Sequence, residues 1–336
     1  MNAESITERP TLRDVAAAAN VSIATASRAL SGKGGSSATT LAVLEASTRL
    51  NYRPDPAARS LRAQETGLVG MIVPGVSNPF FAELVEAVEN ALQSAGVELV
   101  LSDSRNSSEQ QLARVRTLND RRADGLIIVP TAFGQTAELG RELARMRNVV
   151  QIDREIGGFA ADFVGIDNHV GIRLVLEHLA ARGARRIAFV SGDRDTSTGG
   201  GRLEAFESGI ARFAGLAVAD VLLGEFSVAW GEEAARGILA GGERPDAIVC
   251  GSDVIAIGVL RVLRAGGVRV PDDVRVTGFD GISFSELSDP PLTTVAQPFT
   301  AIAEEAVRLL QLRLAGAGGA IQRSTISPTL IVRGSA

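Results

Sequence analysis

From Leu68 onward the chain alternates short, continuous apolar runs with helical patterns, and it does so in two successive series. The first series holds "LVGMIVPG", "VELVLS", "DGLIIVP" and "NVVQID"; the second holds "RRIAFVSG", "DVLLGEF", "DAIVCG" and "DVRVTGFD". Unbroken runs of this kind suit buried strands of a parallel sheet with helices on both faces. Two series, each about 100 residues or more, therefore predict two Rossmann-like, doubly wound α/β lobes. At 336 residues the chain exceeds one ordinary core, and 45% hydrophobic against 22% charged residues is a globular balance. No run reaches the roughly 18–20 apolar residues of a membrane span. "MNAESITERP" lacks the apolar centre of a secretory signal, so a cytoplasmic location is expected.

What the chain lacks narrows its chemistry. Cys250 is the single cysteine, which excludes an intramolecular disulfide framework and a cysteine-based zinc site. His169 and His178 are the only histidines, and both suit surface positions on one helix. No metal site and no cofactor are expected. "STGGGR" at residues 197–202 invites comparison with a phosphate loop, but the chain has no G-x-x-x-x-G-K-[ST], and its only lysine is Lys33. No G-x-G-x-x-G follows the first strand either, so the glycines are read as allowing close approach to a ligand.

Charge is distributed unevenly. Residues 1–63 carry eight Arg/Lys against five acids, a balance of +3, so the chain total of −5 leaves −8 for the remainder. A positive head on a negative body suggests that only the head meets a polyanion.

The head opens with "TLRDVAAAANVSIATASRAL". Thr11 and Asp14 form a capping pattern, and Leu12, Val15, Ala16 and Ala19 recur at helical spacing. Asn20 tolerates the left-handed conformation that ends a helix, Val21 can plug a small core, and Ser22 can cap a second helix. Ala26, Ala29 and Leu30 share one side of that helix, and Ile23, Ala24, Ser27 and Arg28 face outward. Two short helices with a three-residue turn describe a helix-turn-helix. A third helix, "SATTLAVLEASTRL", offers Leu41, Leu44 and Leu50 to close the core. In "NYRPDPAARSLRAQETG", Pro54 and Pro56 stop that helix and Asp55 can start another. It would expose Leu61 between Arg59 and Arg62, either as an apolar wedge for a minor-groove base step or as packing for the next domain.

These segments resemble the headpiece and hinge of the LacI–GalR family of bacterial transcription regulators. The similarity continues through "GLVGMIVPGVSNPFFAELVEAVENAL", "VQIDRE", "VGIDN", "GSDVIAIGVLRVLRAGGVRVPDDVRVTGFDG" and "PPLTTVAQP". It implies an all-α helix-turn-helix headpiece (1–54), a hinge helix and linker (55–66), and a two-lobed, periplasmic-binding-protein-like body. One lobe would comprise 68–167 with 297–326, the other 168–296 with 327–336. The resemblance further implies that the second helix enters the major groove of a palindromic operator as part of a homodimer. Ile23, Ala24 and Arg28 would read base edges, Arg28 being the one able to grip guanine bidentately. Thr25 and Ser27 would hold phosphates or flanking bases; Thr11, Ser22, Tyr52 and Arg59 would complete the contact, with Leu61 as wedge. Apolar Ile23 and Ala24 favour thymine methyls over polar readout. No leucine heptads follow "LIVRGSA", so a dimer rather than a tetramer is expected.

Ligands of doubly wound sheets bind beyond the carboxyl ends of the strands. The loops there supply Arg154 and Arg202, Asp153, Asp253 and Asp280, and the aromatic residues Phe80, Phe226 and Trp230. Flat apolar faces beside rigid charged partners suit a polyol or a small heterocycle, sugar before purine. By resemblance, Phe80, Phe81, Thr198, Arg202, Phe226, Asp253, Asp280 and Gln297 line an effector cleft, with Arg154 at its edge. Trp230 could contact the ligand or pack within its own lobe; Phe81 could be core, and Asp253 a helix cap. The expected function is a ligand-responsive, DNA-binding repressor released from its operator by a small metabolite. A solute-binding protein without a DNA role would share the body but not residues 11–62. An α/β enzyme is disfavoured because the loops hold no nucleophile elbow, metal cluster or cofactor fingerprint.

Overall fold

The computed structural model describes residues 10–30, 37–52, 66–134, 136–146 and 148–336, and the chain divides into two units, residues 1–66 and 67–336. In the first unit, α1 (Leu12–Ala18), α2 (Ile23–Leu30) and α3 (Ser37–Arg49) surround a small core. Thr11 and Asp14 close a reciprocal capping box at the start of α1. Asn20 takes φ 51° in the turn, and the Ser22 hydroxyl accepts the Thr25 amide at 3.1 Å. Val15, Ala16, Ala26, Ala29, Val43 and Ala46 form the core, with Val21, Leu50 and Tyr52 packed around them. Leu41 and Leu44 do not close it; they are 58% and 46% exposed. Positions 43, 46 and 50 hold the inward phase of α3, and Leu41 and Leu44 fall out of that phase. Three short helices can approach closely only over small side chains, so valine and alanine occupy the centre. Arg59, Leu61 and the expected hinge helix lie outside the described residues.

The second unit is two-lobed. One six-stranded sheet contains β1 (Leu68–Val73), β2 (Glu98–Asp103), β3 (Gly125–Ile128), β4 (Val149–Ile152), β5 (Asp162–Ile166) and β11 (Arg323–Ile326), in the order β11-β5-β4-β3-β1-β2. The other contains β6 (Arg186–Gly192), β7 (Ala217–Gly224), β8 (Ala247–Cys250), β9 (Arg275–Asp280), β10 (Thr293–Ala296) and β12 (Thr329–Ile331), in the order β12-β10-β9-β8-β6-β7. All neighbouring strands are parallel except β10 and β12. Between the strands run α4 (Pro79–Ser94), α5 (Ser108–Asp120), α6 (Ala137–Arg145), α7 (Asn168–Ala181), α8 (Ser197–Ile210), α9 (Val228–Ala240), α10 (Asp253–Ala265) and α11 (Phe299–Leu314).

Central strands are largely apolar because helices cover both faces; β3, β4 and β8 are buried at every position. "VELVLS" was expected to be buried as well, but β2 is an edge strand with Leu101 42% exposed. Its one open side costs little, because Glu98 is also exposed there and keeps the edge polar. Cys250 ends β8 wholly buried, and loss of water together with the nearby Asp253 charge pushes its thiol well above the usual range. Among the described residues, no helix is long and apolar enough to cross a membrane.

Candidate ligand cleft and DNA-reading surface

On α2 the inward face is alanine and the outward face is varied. Ile23 is 39% exposed, Ala24 and Arg28 are exposed, and Thr25 and Ser27 are half-buried. Ser22 and Thr25 share a hydroxyl hydrogen bond of 2.8 Å, and the Thr11 hydroxyl donates to Asp14 at 2.7 Å. Both hydroxyls therefore organise helix N-termini as well as facing outward. Tyr52 is half-buried against the small core.

The cleft of the second unit lies where strand ends of both lobes meet. Its walls are Asn78, Phe80, Phe81, Asp153, Arg154, Thr198, Arg202, Phe226 and Asp280. Asn78 caps α4 through the Phe80 amide at 3.1 Å, which sets Phe80 and Phe81 in the first turn with rings 5.1 Å apart and edge-on. β4 delivers Asp153 at φ 59° and then Arg154. The Arg154 guanidinium sits 5.5 Å from the Phe81 ring and 5.3 Å from the Phe226 ring, one from each lobe. It is 5% exposed, yet its Nε and Nη1 have no hydrogen-bond acceptor; the Asp153 carboxylate stands 3.7 Å away. Burial lowers the Arg154 pKa and raises that of Asp153.

Arg202 is held on every side. Its Nε donates to Asn168 Oδ1 at 3.1 Å and its Nη1 to the Gly251 carbonyl at 2.5 Å; Nη1 also lies 3.3 Å from Asp280 Oδ1. The Phe279 ring lies 3.8 Å beneath its guanidinium. Burial drives the Asp280 carboxyl up to about 7 against the opposing pull of Arg202. Gln297 stands behind Asp280, donating Nε2 to its Oδ1 at 2.9 Å.

Two sequence candidates turn away from the cleft. Asp253 is fully buried beneath it, accepting the Ile282 amide at 2.9 Å and the Thr294 hydroxyl at 2.5 Å. Ser252, not Asp253, caps α10, so Asp253 is a strut under the β9–β10 region; burial and the neighbouring Asp280 charge raise its carboxyl to about 8. Trp230 packs within its own lobe, its indole N–H donating to the Ser191 carbonyl at 3.1 Å and its ring covering Gly224. Asn78 was missed, although its place directly before Pro79 is a helix-start signal. The sequence places Asp153 in a strand-end loop without marking it for the cleft.

Hydrogen bonds join the lobes around this cleft. Glu155 N–H donates to Ser197 Oγ at 2.9 Å, Phe133 N–H to the Asp195 carbonyl at 2.6 Å, and Thr198 Oγ1 to the Asp153 carbonyl at 3.4 Å. On another side, Ser283 gives both its amide and its hydroxyl to Glu83 Oε1 at 2.8 Å each. A second depression, between α5 and α6, offers less: its Glu142 already accepts from Asn119 and Arg145, and Arg116 pairs with Glu138.

Residues 11–55 match the family model described as bacterial regulatory proteins, lacI family, and residues 176–336 match a periplasmic binding protein-like domain. The ribose operon repressor of Escherichia coli (strain K12) is 33% identical over 332 residues, covering 97% of this chain and 99% of that protein. The chain belongs to the LacI family. Another relative, the HTH-type transcriptional repressor PurR of Erwinia tasmaniensis, is 33% identical over 97% of this chain and 96% of its own length. Among solved structures, a lac repressor dimer bound to operator and the anti-inducer ONPF superposes with a TM-score of 0.85 at 26% identity, covering 98% of this chain and 99% of that one. A CelR–cellobiose complex gives 0.74 at 32% identity, covering 98% and 100%. The LacI-family assignment accounts for both units: a helix-turn-helix head and a two-lobed body.

Proposed function

We propose that this LacI-family protein is a cytoplasmic transcriptional repressor that grips a palindromic operator as a homodimer and releases it when a sugar fills the cleft. The lobes that close on the sugar are taken as residues 68–167 with 297–326 and 168–296 with 327–336. The observation that carries the ligand reading is Arg154: a buried guanidinium, without a hydrogen-bond acceptor on Nε or Nη1, between a phenyl ring of each lobe. A buried cation left in that state costs several kcal/mol, so the site is built for acceptors that come from outside. Asp153 and Asp280, which line the same cleft, ask for donors. Hydroxyl groups supply both, and a compact polyol carries several on one small frame. A purine needs a free slot between flat faces, and Arg154 already occupies the space between Phe81 and Phe226. The ribose repressor and CelR–cellobiose relatives support the sugar reading; PurR supports a purine.

Thermal unfolding with D-ribose, cellobiose, D-glucose, hypoxanthine and guanine tests this. A sugar at about 100 times its dissociation constant adds roughly 2.7 kcal/mol, and Arg202→Ala should remove that gain while leaving DNA binding intact. A shift with the nucleobases alone would replace sugar with purine. On the DNA side, Arg28→Ala should cost about 1–3 kcal/mol and relax selectivity at one base pair. Unchanged selectivity in a competition against randomised duplexes would remove Arg28 from base reading.

A further inference from the structure

The chain passes between the two sheets at three places: after β5, after β10, and between β11 and β12. Two of these crossings send a side chain to the charged pair in the cleft. Asn168, the first residue of α7, accepts from Arg202 Nε at 3.1 Å. Gln297, just after β10, donates to Asp280 Oδ1 at 2.9 Å, and that oxygen lies 3.3 Å from Arg202 Nη1. The first crossing is in turn tied to the third, because the Asp167 amide donates to the Ile326 carbonyl at 3.0 Å. Arg202 is planar and stiff, stacked on Phe279 and anchored at Gly251, so a ligand that draws on its outer nitrogens shifts it within its own plane. Asn168 meets the guanidinium at its Nε edge.

We infer that Asn168 is a positioning residue for the regulatory response: it couples Arg202 to the first lobe crossing, so that ligand contact at Arg202 is transmitted to the segments joining the lobes. The inference rests on the ligand reading above. Arg202 keeps its place for ligand without Asn168, since Gly251, Asp280 and Phe279 still hold it. Removing the acceptor therefore separates binding from response. A merely structural side chain would lower stability, binding and response together.

The experiment uses the full chain, D-ribose as probe with cellobiose and D-glucose beside it, titration calorimetry for sugar binding, and a duplex enriched by the wild-type protein from a random pool. In the wild type, saturating D-ribose should weaken duplex binding by about 5–150-fold, the usual range of such coupling. Asn168→Leu and Asn168→Ala should bind D-ribose within about threefold of wild type, yet change duplex affinity less than about twofold on adding it. Asn168→Asp, which keeps an acceptor for Arg202, should restore the response. Retention of the wild-type response by Asn168→Leu or Asn168→Ala overturns the inference, as does loss of D-ribose binding in step with thermal stability. Should one of the two variants fail to fold, the other together with Asn168→Asp decides. A wild-type chain indifferent to D-ribose, cellobiose and D-glucose alike in both assays overturns the ligand reading, and this inference with it; a responsive wild type beside an equally responsive variant overturns this inference alone.

Discussion

Arg154 shows how a side chain can be costly to the fold and useful to the site at once. Replacing both members of a buried ion pair with uncharged groups of similar volume is often neutral or stabilising by about 1–4 kcal/mol. Arg154→Met combined with Asp153→Asn, which removes the charge 3.7 Å away as well, should accordingly raise the urea midpoint of the ligand-free protein and abolish the sugar-induced thermal shift; a lower midpoint would mean that the pair is satisfied where it stands. The buried acids add a pH dependence of definite sign. Asp253 and Asp280 are raised to about 8 and about 7, well above the roughly 3.9 of an unfolded aspartate. The native state thus holds more protons than the unfolded state across that window. Their contribution is fully present below about pH 4 and fades as pH rises through 7 to 8. Urea midpoints measured from about pH 5 to about pH 8 should fall, and Asp253→Asn, which removes one of the two titrations, should flatten the decline. Arg202 and Asp280 were legible because strand-end loops of this architecture face the ligand. Asp253 and Trp230 sit in the same kind of loop but point elsewhere. Membership of a loop does not set a side chain's direction; the caps Ser252 and Ser227 do, by fixing where each helical turn begins.

At the level of elements, the headpiece depends on close helix crossings. Ala26 is fully buried against α1 and α3, with no room for added carbons. Ala26→Leu should cost about 1–3 kcal/mol of headpiece stability and abolish duplex binding, while sugar binding in the other unit survives. Loss of both would show that the two units do not fold independently. The capping box and the Asn20 turn could be read directly, since each is a local pattern with one physical reading. The inward phase of α3 could not, because size alone favoured Leu41 and Leu44 and only the crossing geometry selects Val43 and Ala46. The same limit applies to strands. Apolar runs marked β1, β2, β3, β4, β6, β7, β8 and β9, but β10, β11 and β12 are short and rich in threonine or serine. They become strands by pairing with a neighbour, which no local window contains.

For the molecule as a whole, the proposed function makes the balance between open and closed lobes the regulated quantity, and Glu83 bridges the lobes outside the ligand site. Its carboxylate accepts two hydrogen bonds from Ser283 across the lobes. Glu83→Ala should favour the open form and weaken sugar binding by about three- to tenfold, since apparent affinity scales with the fraction already competent. An unchanged dissociation constant with an unchanged radius of gyration would leave Glu83 without that role. The pattern of apolar runs announced two lobes, whereas the three crossings could only come from resemblance, because nothing in a crossing segment says which sheet its strand joins. The lone thiol of Cys250 has a practical corollary. Sealed at the end of its strand and held protonated, it will ignore maleimides and disulfide reagents in the native state. Pairs of cysteines introduced on opposite lobes can then carry dyes or spin labels without first mutating the natural one, and the opening and closing of a single molecule can be watched in real time.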